Sequence, residues 1–587
     1  MPVHDLIPAW LANYRRSQFP SDLIAGLVVA VLVIPKSLAY ALLAGLPPQA
    51  GLYAGIFPVI AYALLGSSMT QALGPVAITA IMTFSLLTPF AEPGSAEYLR
   101  LAATLSLLSG VLVLAFGLLR LGFLSQLLSR PVVSGFISGS AILIVFSQLK
   151  AFLGLRIAGN DLWPILTGIV HQFGQINPVT FIIGATSLLI LLLSRKTLQD
   201  ALTALGLSTK QAAFIGRLMP LLVVALATAS VAVFGLDQRH GVAVVGTLAE
   251  GLAGFSFFLP SASELQTLAV PTFILTLVGM VQIITISQAL AIKRRERIDA
   301  NRELIGLGAA NIVAAFYGGM PVGGGVSRSA INVSAGARTP ASSLISAVAL
   351  LIVVAAGTAW LARLPLAALA ANIMVAALSM IDLKALRQAW AYDRADALAL
   401  LGTALGVLLL GLEAGISLGI GLSLATLLLR ASIPHIAVIG RIPGSEHFRN
   451  VERYGTETLP ETLFLRIDES LFFGNLNAVE TRLSLELERQ RDIRHIVLIM
   501  SGVNRIDTTA MEALCDLNHD LLARGIRLHL AEVKGPVQDR LLKSPLWNTL
   551  SGKVFLSVNE AYEFLATSSS ATSPASTKPA EDAKAKG

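Results

Sequence analysis

The sequence predicts an α-helical membrane protein followed by a smaller α/β domain. Three observations carry this reading. From residue 22 to 433, apolar runs near bilayer-spanning length follow one another. Beyond residue 434 the charged residues crowd in, and the apolar pattern shortens to runs of strand length. Two of the apolar runs, one in each half of the chain, are interrupted by Gly and Pro: Gln71-Ala-Leu-Gly-Pro-Val-Ala-Ile-Thr79 and Gly318-Gly-Met-Pro-Val-Gly-Gly-Gly-Val-Ser-Arg-Ser329.

Composition agrees. The 587 residues are 54% hydrophobic and 13% charged, where a soluble protein carries about 25% charged residues. The runs divide into about fourteen spans, taking ~20 residues per crossing. They start near Asp22, Gly51, Pro75, Leu99, Pro131, Val179, Ile215, Leu268, Leu304, Val326, Pro340, Leu366, Ala395 and Ile416. Lys and Arg gather in alternate loops, which orients the chain. The richer loops hold Arg120 and Arg130; Arg195, Lys196 and Lys210; Lys293, Arg294, Arg295, Arg297 and Arg302; Arg338; and Lys384, Arg387 and Arg394. These are the expected inner loops, so both termini are expected in the cytoplasm. The net charge of +7 reflects this bias and not a nucleic-acid surface. Residues 1–21 form a short cytoplasmic segment without the charged start and apolar core of a cleavable signal.

The interruptions matter because backbone broken at membrane depth exposes N–H and C=O groups that hydrocarbon cannot satisfy. Such breaks persist only inside protein or beside a water-filled cavity. A pair of them, one per half, points to a transporter's binding site. Each also begins a new apolar run, so each presents a helix N-terminus, whose unpaired N–H groups and positive dipole end favour an anion.

After a polar linker, residues 434–458, a domain over 459–567 alternates strands and helices. Thr462–Asp468, His495–Met500, Arg527–Val533 and Val554–Val558 read as strands; Asn475–Gln490, Thr508–Ala523, Val537–Leu546 and Asn559–Ala566 read as helices. That alternation predicts a largely parallel sheet with helices against it. The tail, 568–587, is mostly Ser, Ala, Thr, Pro and Lys and is expected to be disordered. One cysteine, Cys515, excludes an internal disulfide and suits a reducing compartment. The eight histidines show no ligand spacing, so neither a metal nor another cofactor is expected.

The run Ile34-Pro-Lys-Ser-Leu-Ala-Tyr-Ala-Leu-Leu-Ala-Gly-Leu-Pro-Pro-Gln-Ala-Gly-Leu-Tyr53, with Ala72-Leu-Gly-Pro75 and Ser327-Arg-Ser329, resembles the SulP anion transporters. The segment behind them resembles a STAS domain. The resemblance covers nearly the whole chain. It implies two inverted seven-helix repeats that build a core and a gate domain. It also implies a homodimer, an elevator-like slide of core against gate, and an anion held between the broken third and tenth spans. The expected location is the bacterial inner membrane.

Carried over residue by residue, Arg328 lies at the tenth-span break. It is either a cation of the site or a brace for the break, since an Arg at that depth costs about 2.5–3.5 kcal/mol and needs a reason. Ser327 and Ser329 are either hydroxyl donors to an oxyanion or helix caps. At the third-span break the amides of Val76 and Ala77 are the expected ligands, since Pro75 has no N–H. Tyr40 resembles an aromatic that lines the pocket in relatives, against the alternative of a core tyrosine. Two positions depart from the pattern. Lys36 stands where relatives have Gln or Glu, and Gln282 stands where proton-coupled relatives carry Glu. Gln cannot titrate, so Lys36 is either the coupling group, a second cation that raises anion affinity, or a side chain that snorkels to a surface. In the STAS segment, Ile506-Asp-Thr-Thr-Ala510 replaces the Asp-Ser-Ser-Gly of phosphorylated relatives. Asp507 is an expected helix cap, with Thr508 and Thr509 as candidate phosphate acceptors.

The leading function is a secondary carrier of a small anion: sulfate or, as alternatives, bicarbonate, chloride or a dicarboxylate. A channel on the same fold, a membrane-tethered regulator acting through a cytosolic partner of the STAS domain, and a nucleobase permease are the competing classes. No catalytic constellation or phosphate loop appears, so an enzyme is not expected.

Overall fold

The structure is a computed structural model, described here for residues 8–127, 129–157, 159, 161–195, 197–246, 254–356 and 361–570. The first seven residues, Lys196 and the tail from residue 571 lie outside the described residues. The chain forms two compact units, Met1–Leu424 and Ala425–Gly587.

The first unit is helical, and a helix lies at each expected span. The main helices of its first half are α1 (Phe19–Leu43), α2 (Pro48–Ala54), α3 (Phe57–Leu65), α4 (Ala77–Leu87), α5 (Ala96–Leu118), α6 (Arg130–Leu153), α7 (Pro178–Arg195) and α8 (Thr209–Phe234). Those of its second half are α9 (Ala262–Arg294), α10 (Ala300–Phe316), α11 (Val326–Ser334), α12 (Ala341–Ala355), α13 (Leu366–Leu378), α14 (Leu383–Tyr392), α15 (Arg394–Leu410) and α16 (Leu412–Ser432). Among the described residues, seven helical stretches are long and apolar enough to cross a membrane alone. Others, such as Ala77–Leu87 and Ala341–Ala355, are apolar but shorter. Apolar side chains fill the middle of these helices, and Ser or Asp caps the starts of several. Ser95 caps α5, Ser261 caps α9 and Asp299 caps α10, each supplying an acceptor to N–H groups that no earlier turn can satisfy. Helices α5 and α10 run close together, because a side chain at Gly308 would strike the Gly110 carbonyl and the Leu114 backbone.

The two interruptions meet. Strand β1 (Leu73–Gly74) pairs antiparallel with β2 (Gly323–Gly324), placing Leu73 opposite Gly324 and Gly74 opposite Gly323. Each break thus satisfies backbone groups of the other, which is how irregular backbone survives at this depth. Helix α4 starts just after one strand and α11 just after the other.

In the second unit, β3 (Ile436–Arg441), β4 (Phe448–Asn450), β5 (Thr462–Ile467), β6 (His495–Ile499), β7 (Arg527–Ala531) and β8 (Val554–Phe555) form one sheet in the order β4-β3-β5-β6-β7-β8. Strands β5 to β8 pair in parallel, and β3 lies antiparallel to β5. Strand β6, in the middle of the order, is apolar on both faces from Ile496 to Ile499, with Ile496 and Leu498 in one core and Val497 and Ile499 in the other, since helices cover both. Helices α17 (Leu476–Arg489) and α18 (Thr508–Ala523) match expectation. One expected helix is split by Pro545 into α19 (Gly535–Leu541) and α20 (Pro545–Thr549), and α21 (Val558–Ser570) runs past the expected boundary at residue 567. The segment 434–458 is not a linker. It contributes β3 and β4, joined by a turn at Pro443-Gly444 in which Gly444 adopts φ +71°. Alternate residues of β3, Ala437 and Ile439, are buried against the sheet's second core.

Candidate functional site

The paired breaks border a cavity of about 860 Å³. Helix α1 presents Lys36 and Tyr40 to it, α4 presents Val76 and Ala77, α9 presents Gln282, and α11 presents Ser327 and Arg328. Away from the breaks the lining reaches Ser334, Ser379 and Asp382, which are exposed.

Both helix starts at the breaks lack a side-chain cap. The N-cap of α4 is Val76 and that of α11 is Gly325, and neither supplies an acceptor. Their first-turn N–H groups have no intrahelical partner by construction, so both starts offer donors at the cavity wall. Ser327 and Ser329 therefore do not cap their own helix. Ser327 sits in the second position of α11, exposed in the cavity wall, and its Oγ accepts a hydrogen bond from Lys36 Nζ at 3.2 Å. Ser329 is fully buried and does not line the cavity. Its Oγ accepts from the Ala72 N–H at 2.9 Å, so it serves the opposite break.

Arg328 is also a cross-brace. Its Nη1 donates to the Leu73 carbonyl at 2.6 Å and its Nη2 to the Pro75 carbonyl at 3.2 Å. Gly74 permits this: with φ +150°, a side chain there would collide with the guanidinium. The planar fork suits two carbonyls at once, and the charge stays at the cavity wall. Asn311 plays a matching part on the other side, accepting from the Val322 N–H at 2.8 Å and donating to the Val322 carbonyl. The Gln282 Oε1 is buried and has no hydrogen-bond partner among the described residues.

Sequence reasoning missed Glu303, in the first turn of α10. It is fully buried. Its Oε1 accepts from Ser67 N, Ser67 Oγ and Ser68 N at 2.7–2.8 Å; its Oε2 accepts from Tyr62 Oη at 2.6 Å and Ser287 Oγ at 2.5 Å. Ser287 in turn hydrogen-bonds Gln71, two residues before β1. The third-span approach is thus tied to spans eight and nine. The available signal was an acid placed one residue before an expected span start.

In the second unit, Asp507 caps α18, its Oδ1 accepting from Ala510 N at 2.8 Å and its Oδ2 from Phe473 N at 3.0 Å. Thr508 and Thr509 are exposed in the first turn. No group of three or more metal-ligating side chains occurs among the described residues.

Broken helices paired beside a cavity, followed in sequence by a separate α/β unit, are the architecture of a multi-pass membrane transporter. The chain belongs to the sulfate permease family, which matches residues 19–403, and a STAS domain matches residues 453–561. It is 34% identical to sulfate transporter 4.1, chloroplastic, of Arabidopsis thaliana, across 94% of this chain and 81% of that protein. It is also 34% identical to a probable sulfate transporter of Mycobacterium tuberculosis, across 91% and 93%. Its fold matches that of the murine Solute Carrier 26 family member A9 anion transporter in the inward-facing state, with a TM-score of 0.86, 22% identity, and 96% and 94% coverage. The transmembrane domain of a cyanobacterium bicarbonate transporter, BicA, matches with a TM-score of 0.58 and 25% identity over 68% of this chain and 98% of that one.

Proposed function

We propose that the protein is a secondary active transporter of small anions, with sulfate or a related oxyanion as substrate. The anion lies between the starts of α4 and α11, on the amides of Val76 and Ala77, the hydroxyl of Ser327 and the charge of Lys36. Arg328 contributes its field while bracing the break. The observation that carries this is the pair of uncapped helix starts facing one cavity at membrane depth. On the expected topology the cavity opens inward, and an elevator-like movement of core against gate exposes it to the other side. The sulfate transporter names of the similar proteins support sulfate; the similarity to BicA keeps bicarbonate as the alternative. Gln282 favours either exchange or a proton carried on Lys36. The chain is proposed to work as a homodimer in the inner membrane with both termini cytoplasmic, and its STAS unit to bind a regulatory partner at the Asp507–Thr509 turn.

The test is uptake into proteoliposomes from a panel of labelled sulfate, bicarbonate, chloride and dicarboxylates, with and without pH and sodium gradients. Saturable uptake that falls about tenfold or more in Arg328→Ala, the loss expected for a charge-assisted contact, supports the site. Unsaturable currents would instead indicate a channel, and no uptake of any anion would remove the proposal.

A further inference from the structure

Helix α14 forms the end of the candidate span Leu366–Tyr392 and leads into α15, which places it at one edge of the bilayer. Its sequence, Leu-Lys-Ala-Leu-Arg-Gln-Ala-Trp-Ala-Tyr, has no buried residue. Leu383, Leu386 and Trp390 fall at i, i+3 and i+7, which puts them on one face. Leu383 is 71% exposed, Trp390 53% and Tyr392 94%. That face and Leu401 of α15 enclose a groove of about 410 Å³, with Arg387 in its wall.

Within the groove the charge is one-sided: Arg387 lines it, Lys384 lies one turn before it on α14, and no carboxylate is among the lining residues. Lys384, Arg387 and Arg394 are exposed, and none forms an ion pair among the described residues. Asp382 accepts from Ala385 N at 2.9 Å and Asp393 from Ala395 N at 2.8 Å, each capping a helix start, and Asp396 follows in the first turn of α15. Exposed apolar residues beside Trp, Tyr and a cation in the groove wall, on a helix at the bilayer edge, are what an anionic lipid surface attracts.

We propose that this groove binds an anionic phospholipid, its phosphate on Lys384 and Arg387 and an acyl chain against Leu383, Leu386 and Trp390. The position gives the lipid a handle on transport. Ser379, Met380, Ile381 and Asp382, which lead directly into α14, line the large cavity. The Asp382 N–H is tied to Ser138 Oγ of α6 at 3.2 Å. A lipid holding α14 therefore restrains the segment at the cavity's edge. The proposal concerns lipid binding and does not depend on which anion is carried.

The experiment measures the thermal midpoint of the full chain in neutral detergent with added phosphatidylglycerol, phosphatidylcholine or inorganic phosphate. Phosphatidylglycerol is expected to raise the midpoint and the other two to leave it unchanged. The double substitution Lys384→Gln, Arg387→Gln is expected to weaken the phosphatidylglycerol response about thirtyfold in lipid concentration, from the loss of two surface charges near an anionic lipid; Trp390→Ala is expected to weaken it as well. Equal responses to both lipids, a response to inorganic phosphate, or an unaltered response in the double variant would overturn the proposal. So would a change in oligomeric state as the only effect of the double variant, since the groove would then seat a second copy. Native mass spectrometry of the unaltered protein with a mixture of both lipids, expected to retain phosphatidylglycerol selectively, covers the case in which the variants fail to fold.

Discussion

Replacing Arg328 by Lys separates its two possible contributions, the field of a cation and the grip on the opposite break. Lysine keeps the positive charge. It replaces a planar fork with a compact ammonium that makes point contacts. The guanidinium now holds the Leu73 carbonyl at 2.6 Å and the Pro75 carbonyl at 3.2 Å. A hydrogen bond to a charged group contributes about 1.5–3 kcal/mol net, and lysine is expected to keep at most one of the two. The loss should therefore approach 1.5–3 kcal/mol, or about a ten- to hundredfold fall in apparent anion affinity if the break must be held to bind. The assay is initial uptake of labelled sulfate into proteoliposomes over a concentration series, together with the thermal midpoint of the purified protein. Arg328→Lys should raise the half-saturating concentration and lower the midpoint together. An Arg328→Lys protein with wild-type affinity and midpoint would refute the brace and leave only the field.

Three other substitutions test neighbouring parts of the structure. Ser329→Ala strands the buried Ala72 N–H, at a cost of about 1–3 kcal/mol; uptake should weaken although Ser329 never meets the cavity, and full activity in the variant would detach it from the break. Glu303→Ala removes the acceptor for five hydrogen bonds from four residues, so a destabilisation of about 3–5 kcal/mol is expected, read as a sharp loss of folded protein on size-exclusion chromatography. In the STAS unit, burial, reinforced by His495, Arg527 and Lys553, pushes the His529 imidazole down to about 4 from 6.5. The folded form thus keeps the ring neutral, and the unfolded form takes up the proton first as pH falls. Stability from this group is complete above about 6.5 and is lost between there and about 4. Hydrogen exchange at the β7 amides should accelerate over that window beyond the intrinsic rate, and His529→Gln should flatten the change.

The breaks are legible in the sequence because their signal is local: Gly and Pro clustered inside an apolar run interrupt a helix where lipid tolerates no loose backbone, so the cluster itself marks a protein-lined gap. What braces the breaks is not local. Arg328 bonds carbonyls 253 and 255 positions away, and Ser329 an amide 257 away. No periodicity records such a pairing, so a cation of the site and a brace read alike until the chain is folded. Glu303 escaped for the same reason. An acid in a helix's first turn is already accounted for by the helix dipole, and its donors lie some 240 positions earlier in the chain or on the preceding helix. Strand β3 shows the opposite failure. Its six residues are short and follow a proline, so they read as linker although the Pro-Gly turn that pairs β3 with β4 is written plainly after them.

The two cations at the cavity differ in their chemistry. Arg328 cannot lose its proton in practice and is gripped by two carbonyls, so its charge is constant and its position fixed with the break. Lys36 carries an amine on a flexible stem with Nζ 3.2 Å from the hydroxyl of Ser327, next to where an anion on the α11 start would lie. Gln282 offers no titratable group. On the proposal that a proton travels with the anion, Lys36 is its carrier, protonated when the anion is bound and deprotonated on return. Uptake by the unaltered protein is therefore expected to fall as pH rises. Lys36→Arg keeps the charge at every pH, so its uptake should persist into the alkaline range while losing its dependence on an imposed pH gradient. Lys36→Gln should bind the anion weakly at all pH values. If Lys36→Arg follows the same pH profile and responds to the same gradient as the unaltered protein, the proton is carried elsewhere or not at all, and Lys36 contributes only a fixed charge.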